Sequence, residues 1–261
     1  MKKKVFNFKS DLKKGLNFYN EFGFCIFKNI LSKKDIDNIN KEIESIVQNQ
    51  AQKHLSKKER KKIKSIDESL IKLSKKNDEL RSRIYNVIQD LPSVKKFSLN
   101  KNFFKIAKML GISIPLIKTA QIRMDMPKEK KFLIPPHQEI KNIRSPNMIF
   151  FNTALKKITN NMGTINIAPK SFNLGPIIPT VNNKFNYQYI DKKLYFKKYP
   201  LKYFELNKGE TLLINKLTIH GSRKNTTNYK IRWSTIVRYE DAKKMPFLDL
   251  NDSYKQFDLK G

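Results

Sequence analysis

The chain is poor in the residues that most often cross-link a protein or bind its metals: its 261 residues include one cysteine and three histidines. A lone Cys25 excludes an internal disulfide. Inside the run Gly23-Phe24-Cys25-Ile26-Phe27 its expected role is that of a buried thiol, and a reducing cytoplasm is the expected compartment. No apolar stretch reaches the roughly 18 residues that a membrane span requires. The opening Met1-Lys2-Lys3-Lys4 is basic, but Val5-Phe6-Asn7-Phe8-Lys9 is too short and polar for the apolar core of a secretion signal. Acidic residues are also scarce, 23 against 54 Lys and Arg, which leaves a formal net charge of +31. Such a charge admits nucleic acid or an anionic surface as partner. The lysines are spread along the whole length, and Lys, Asn and Ile are all abundant. Compositional drift is therefore the favoured source of the charge, and nucleic acid the less favoured partner.

What is present argues for a folded globule: 39% hydrophobic residues and 18 Phe. Residues 1–113 read as a short strand followed mainly by helices. Ser32 with Asp35 forms a capping box. Ile36, Ile39, Ile43, Ile46 and Val47 follow at helical spacing. From Ile63 to Leu91 apolar residues recur at alternating steps of three and four, with Asn77 at one core position. That pattern admits a coiled-coil pair. The lysines crowding its flanks favour a helix, or two helices broken near Lys75-Lys76-Asn77, packed on the protein's own core and ended by Pro92. A short helix from Phe103 to Leu110 closes at Gly111. From residue 114 short β-branched and aromatic runs are separated by Pro, Gly and Asn, predicting strands over 116–125, 147–155, 163–168, 210–215 and 231–239. Helices first and strands later predict an α+β layout, with a β-barrel or jelly roll flanked by N-terminal helices.

Two of the three histidines have the spacing of metal ligands. His137 and Glu139 are two apart and share a face if the segment is extended. His220 follows a predicted strand and a turn. Two imidazoles and one carboxylate are the facial triad that holds non-haem Fe(II) and leaves the opposite positions open. Arg232, on the next strand, offers a two-pronged guanidinium to a carboxylate. The bland alternatives are a surface strand for His137 and Glu139, a satisfied core histidine for His220 and a surface ion pair for Arg232.

Three segments, in order, resemble the phytanoyl-CoA dioxygenase-like (PhyH) branch of the Fe(II)/2-oxoglutarate-dependent oxygenases. They are Glu21-Phe22-Gly23-Phe24 through Leu31-Ser32; His137-Gln138-Glu139 with Ile149 to Leu155 and Asn161 to Ser171; and His220 to Asn225 with Ile231 to Ser234, Arg238 and Tyr239. The resemblance implies a single oxygenase domain over 1–261. In it, 114–240 form a double-stranded β-helix (a jelly-roll or cupin-like barrel) with the metal at its mouth, and 241–261 a C-terminal tail. It implies iron on His137, Glu139 and His220. It puts the 2-oxoglutarate carboxylate on Arg232 with help from Ser222, and makes Gln121 a further cosubstrate candidate. Three departures stand out. Glu139 replaces the family's Asp, which keeps the charge and the oxygen ligand. The turn Pro169-Lys170-Ser171-Phe172 replaces Pro-Gly-Ser-His. Asn152 stands where an aromatic is common.

The implied activity is hydroxylation of a small-molecule metabolite using O2, with release of succinate and CO2. The aromatic-rich stretch 176–200, with Phe185, Tyr187, Tyr189, Tyr195, Phe196 and Tyr199, is read as a lid or as an ordinary packed loop. Two alternatives carry different signatures. A nucleic-acid demethylase of the same superfamily would bind DNA in a salt-sensitive way. A non-catalytic binding protein on the same barrel would hold no metal. A halogenase is disfavoured, because it would lack the carboxylate that Glu139 supplies.

Overall fold

A computed structural model describes residues 1–130, 132–140, 143–182, 187–190 and 193–245 of the chain. A two-residue strand β1 (Phe6–Asn7) and helix α1 (Leu12–Phe22) lead into β2 (Phe24–Lys28). Helices α2 (Lys33–His54), α3 (Lys57–Lys61), α4 (Ile66–Lys76), α5 (Asp78–Ile88), α6 (Pro92–Ser98) and α7 (Lys101–Met109) follow. The remainder is mainly strands: β3 (Pro115–Asp125), β4 (Met148–Ala154), β5 (Ile165–Ile167), β6 (Thr180–Asn182), β7 (Tyr187–Tyr189), β8 (Lys202–Tyr203), β9 (Thr211–Asn215), β10 (His220–Ser222) and β11 (Arg232–Asp241). A short α-helix, α8 (Lys193–Lys198), and brief 3-10 turns at Asn160–Met162 and Ser171–Leu174 interrupt them. Among the described residues no helix is long and apolar enough to cross a membrane.

The helix signals in the sequence act as physical chemistry requires. Ser32 accepts from the Asp35 amide at 3.1 Å while the Asp35 carboxylate accepts from the Ser32 amide at 3.3 Å, which satisfies two orphan donors of α2. The buried face of α2 is Ile36, Ile39, Ile43, Val47 and Ala51. The heptad-like run is not one helix. Asn77 sits in extended backbone, and its side chain accepts from the amides of Glu79 and Leu80 at 2.9 and 3.2 Å. An asparagine that caps a new helix in this way cannot also be a buried core position, so the run divides into α4 and α5. Pro92 does not end the preceding helix, which stops at Ile88. It opens α6 at a first-turn position, where its missing N–H costs nothing.

Six strands form the large sheet in the order β1-β2-β9-β4-β11-β3, and β10-β5-β8 form a smaller one. A lone bridge pairs His137 with His220 beside β10. Along the chain the segments therefore fall on the large sheet (β3), the small (His137), the large (β4), the small twice (β5, β8), the large (β9), the small (β10) and the large again (β11). The small sheet is not closed into a continuous ladder at His137.

Strand β11 shows how the sheet divides its two faces. Trp233 and Tyr239 turn to the helices: Trp233 Nε1 donates to Asp67 of α4 at 2.9 Å, and the Tyr239 hydroxyl donates to the Ser98 carbonyl of α6 at 2.6 Å. Phe103 of α7 packs on Phe151 at 4.7 Å between ring centroids. One hydrophobic cluster runs from Phe8 through the helices to Tyr239, with Cys25 wholly buried in it. The alternate residues Arg232, Ser234, Ile236 and Arg238 turn the other way, towards the small sheet.

Asp67 ties the helical layer to β11. Its carboxylate accepts from Trp233 Nε1, from the Ile231 amide at 2.9 Å and from Lys156 at 3.0 Å. Asp67→Ala leaves two buried N–H groups without an acceptor and should destabilise the protein by about 3 kcal/mol, at roughly 1–3 kcal/mol per orphaned group. Asp67→Asn, which keeps one acceptor oxygen, should cost less than half of that. Urea unfolding with an unchanged m-value checks both.

Candidate active site

The segment before Glu139 is extended by its own composition. Pro135 and Pro136 cannot enter a helix here, and each biases the residue before it towards extended backbone. His137 then exchanges both backbone hydrogen bonds with His220, at 2.8 and 3.0 Å. The pairing continues outward, with the Glu139 amide donating to the Lys216 carbonyl at 2.8 Å and the Ser222 amide to the Ile134 carbonyl at 2.7 Å. Gln138 points the other way and is buried. Its amide nitrogen donates to the carbonyls of Leu217 and Gly175 at 2.7 and 2.9 Å, and its oxygen accepts from the Ile177 amide at 2.9 Å. An x between His and Glu that faces away is what the two-residue spacing demands.

Both imidazoles are oriented by backbone. His137 Nδ1 lies 2.9 Å from the Pro135 carbonyl, and His220 Nδ1 lies 2.9 Å from the Thr218 carbonyl. A carbonyl only accepts, so each Nδ1 carries a proton, and Nε2 is the nitrogen of each ring left to bind a metal. Those two Nε2 atoms face Glu139 Oε1 at 3.6 and 3.5 Å. One ligand atom from each of the three residues falls within 4.8 Å of the others. Burial pushes the His220 pKa down, and the neighbouring His137 pushes it the same way, so a neutral ring is favoured there. Burial alone would raise the Glu139 pKa. Arg238 foremost, then the two histidines, hold it well below the usual carboxylate range. Two neutral imidazoles and an ionised carboxylate are the donor set a divalent first-row metal takes.

The cleft around these atoms is small, about 40 Å³, and lies between the two sheets. Arg232, at the start of β11, is 4% exposed. Its Nε and Nη2 reach Asp125 Oδ2 at 3.0 and 2.8 Å, its Nη2 reaches Ser222 Oγ at 3.1 Å, and its Nη1 donates to the Gly163 carbonyl. Ser222 is thus beside Arg232, as the sequence suggests. Gln121 sits on the cleft side of β3 opposite Ile236, but the β3 residue that lines the cavity is Arg123. Lys230 is exposed and precedes β11. Arg238 is in the site: it grips Glu139 with Nη2 at 2.7 Å and Nε at 3.1 Å, and its guanidinium lies 4.8 Å from the Phe150 ring.

Sequence reasoning missed Asp125 and Arg123. Their signal was the period-two pattern Gln121, Arg123, Asp125 within a strand, three polar side chains on one face. Asn152, buried, donates to Ser234 Oγ at 3.2 Å and forms part of the cleft wall. The 176–200 stretch contains β6, β7 and α8. Ile177 and Ile190 pack with Ile219, and the Ile190 amide donates to the Pro136 carbonyl at 2.7 Å. The stretch is therefore packed against the ligand-bearing segment at both of those points; Phe185 lies outside the described residues.

A family model described as phytanoyl-CoA dioxygenase (PhyH) matches residues 19–233. No curated protein sequence is a match. Among solved structures, the epimerase SnoN in complex with Fe3+, alpha ketoglutarate and nogalamycin RO aligns with a TM-score of 0.61 at 15% identity, over 90% of this chain and 85% of that one. AviO1 from Streptomyces viridochromogenes Tue57 aligns with a TM-score of 0.59 at 14% identity, over 89% of this chain and 96% of its own. A second SnoN structure, described as a non-heme alpha ketoglutarate dependent epimerase from nogalamycin biosynthesis, gives 0.54 at 13% identity, over 90% and 84%. At these identities the likeness is one of fold.

The closeness of His137 to His220 depends on Gly221. A Cβ there would lie 2.7 Å from the Pro136 nitrogen and 2.8 Å from the Pro135 carbonyl carbon. Gly221→Ala should therefore push the two ligand-bearing segments apart. The expected outcome is a 10- to 100-fold loss of Co(II) affinity by roughly the margin that misplaced supporting groups produce, read by titration of the metal-free protein.

Proposed function

The chain belongs to the phytanoyl-CoA dioxygenase (PhyH) family, and from that premise we propose that it is an Fe(II)- and 2-oxoglutarate-dependent dioxygenase that hydroxylates a small-molecule metabolite. The observation that carries this reading is the donor set: two Nε2 atoms and one carboxylate oxygen converge within 4.8 Å, with both Nδ1 protons already engaged by backbone. The order in which the strands visit the two sheets supports a double-stranded β-helix as the scaffold, with His137, Glu139 and His220 at one end of it. Bound there, iron with 2-oxoglutarate and O2 would supply the oxidant for a C–H bond, with succinate and CO2 as co-products.

The rest of the work falls to the chain itself. His137, Glu139 and His220 would hold the ion. Arg232 is the seat for the far carboxylate of 2-oxoglutarate, and Ser222 Oγ lies beside it to share that oxygen. Asp125 holds the guanidinium plane along its Nε and Nη2 edge, and the Gly163 carbonyl holds it at Nη1. Phe150 and Ile236 narrow the cleft and exclude water from it. The SnoN structures are described as epimerases, so the fold is used for more than one reaction. Hydroxylation is the outcome proposed here.

Under argon, Fe(II) and 2-oxoglutarate together should give the weak visible charge-transfer band of a metal-chelated keto acid. His137→Ala and His220→Ala should each abolish it. Full-strength bands in either variant would show that the ligand set is wrong.

Arg232 should act on the cosubstrate and not on the metal. Arg232→Ala should raise the 2-oxoglutarate KM roughly 10- to 150-fold, the value of one charge-assisted hydrogen bond. Arg232→Lys keeps the charge without the fork and should fall between. Fe(II) affinity should change little in both. A silent Arg232→Ala with a large KM effect at Arg238 would move the cosubstrate seat to the metal side of the cleft.

A further inference from the structure

A second cavity, about 300 Å³, lies beside the cleft between α5 and β3. Tyr85, Met124 and Phe132 give it apolar walls, and Arg123 lines both this pocket and the cleft. We propose that this pocket seats the body of a small organic monoacid and that Arg123 binds its carboxylate at the junction with the cleft. The proposal rests on the reading above for what fills the cleft, and it names the substrate class.

Charge complementarity carries it. Four guanidinium groups line the two cavities: Arg81, Arg123, Arg232 and Arg238. Arg81 is closed off by Glu129, which takes Nη1 at 2.9 Å and Nη2 at 2.5 Å. Arg238 is matched by Glu139. Arg123 and Arg232 share a single carboxylate: Asp125 Oδ1 accepts from Arg123 Nη2 at 2.9 Å, and Oδ2 accepts from Arg232. Arg123 also donates to the Phe132 carbonyl at 3.2 Å, and Glu129, which is bonded to Arg81, acts on it only at longer range. A fourth carboxylate, Asp78, lies 3.8 Å from Arg81 but is 72% exposed and screened by water, so four cations face three largely buried carboxylates among the described residues. A divalent metal and dianionic 2-oxoglutarate would cancel one another, so the excess of one buried positive charge would persist in the loaded site. Two buried cations that share one counter-charge are costly. A substrate bearing one negative charge removes that cost, a neutral one leaves it, and a cation adds to it.

Shape sets the rest of the class. A volume of about 300 Å³ is at the small end of ligand pockets, which suits one ring or a short chain. The Phe132 ring, 46% exposed, stacks against the Arg81 guanidinium at 5.1 Å and forms the outer rim. An apolar body between Tyr85, Met124 and Phe132 with its carboxylate on Arg123 points the near end of the molecule into the cleft.

The test uses 3-phenylpropionate and its neutral counterpart 3-phenylpropionamide as probes, titrated calorimetrically into the full chain, both metal-free and loaded under argon with Fe(II) and 2-oxoglutarate. The acid should bind at least 10-fold more tightly than the amide in both forms. Arg123→Gln should weaken the acid roughly 10- to 150-fold and leave the amide nearly unchanged, while Arg123→Lys recovers part of the loss. Phe132→Ala, at the exposed rim, should weaken acid and amide alike, and it carries the test with Arg123→Lys if Arg123→Gln does not fold. Equal binding of acid and amide overturns the proposal. So do an Arg123→Gln protein that binds the acid normally, competition between the acid and 2-oxoglutarate in the loaded protein, and no binding of either probe at millimolar concentration. A protein that binds the acid when metal-free but never shows the charge-transfer band would sink the iron reading and leave the acid pocket standing.

Discussion

The site hangs on one pair of backbone hydrogen bonds, those exchanged between His137 and His220. They hold two residues that are far apart in sequence in register, and they do so next to two prolines that stiffen one partner and a glycine that lets the other approach. Each ring is then turned by the carbonyl two residues before it, Pro135 for one and Thr218 for the other. Neither orientation needs a side-chain partner. Because both Nδ1 positions are occupied by backbone, both Nε2 atoms are left to face Glu139, whose own amide is the next rung of the same pairing. A cluster built this way is as rigid as the small sheet that carries it.

Around that point the cleft is arranged as alternating charge. On β11, Arg232 and Arg238 lie six residues apart on one face, and each has a carboxylate supplied from elsewhere: Asp125 from β3, Glu139 from the His137 segment. The pairing keeps both acids ionised in surroundings that would otherwise favour their protonation. For Asp125, burial pushes the pKa up and is outweighed by Arg232 and Arg123. For Glu139, burial is outweighed chiefly by Arg238. A carboxylate that is already charged would need no proton loss to take up a metal. Arg238 is itself steadied by the Phe150 ring, and Phe150 stacks on His220 at 5.4 Å between centroids. His220, the Arg238 cation and the aromatic wall therefore form one packed unit.

Much of this was legible in the sequence because it is local. The capping box at Ser32, the apolar stripe of α2 and the two-residue step from His137 to Glu139 are readable within a few residues. So is the helix break at Asn77, although its cause was misread. A polar residue in a heptad pattern looks like a buried specificity element, whereas Asn77 accepts two amides at a helix start. What was not legible depends on pairing across the sheet. Arg123 and Asp125 matter because β3 lies antiparallel to β11, with Asp125 opposite Arg232 and Arg123 opposite Ser234. No feature of residues 115–125 alone names that partner strand. The same holds for Arg238, whose role follows from the bond with Glu139, 99 residues away.

The altered turn Pro169-Lys170-Ser171-Phe172 shows how far a motif can drift while its geometry holds. Lys170 stands where the resembled family has glycine, and it keeps glycine's backbone, with φ at 65°. That left-handed conformation costs a lysine about 1 kcal/mol relative to glycine. Its amide donates to the Phe22 carbonyl at 2.9 Å, which ties the turn to the end of α1. Its ammonium lies 4.8 Å from the Phe22 ring and 3.3 Å from Glu21. These contacts offset the backbone cost. Ser171 survives for a different reason. It is wholly buried, and its hydroxyl accepts from the Ile219 amide at 2.8 Å, directly before His220. The residue that supports the ligand strand is retained, while the replaced position keeps the required backbone by other contacts. The constraint on this turn is thus the placement of Ile219 and His220, and a sequence can satisfy it without the glycine.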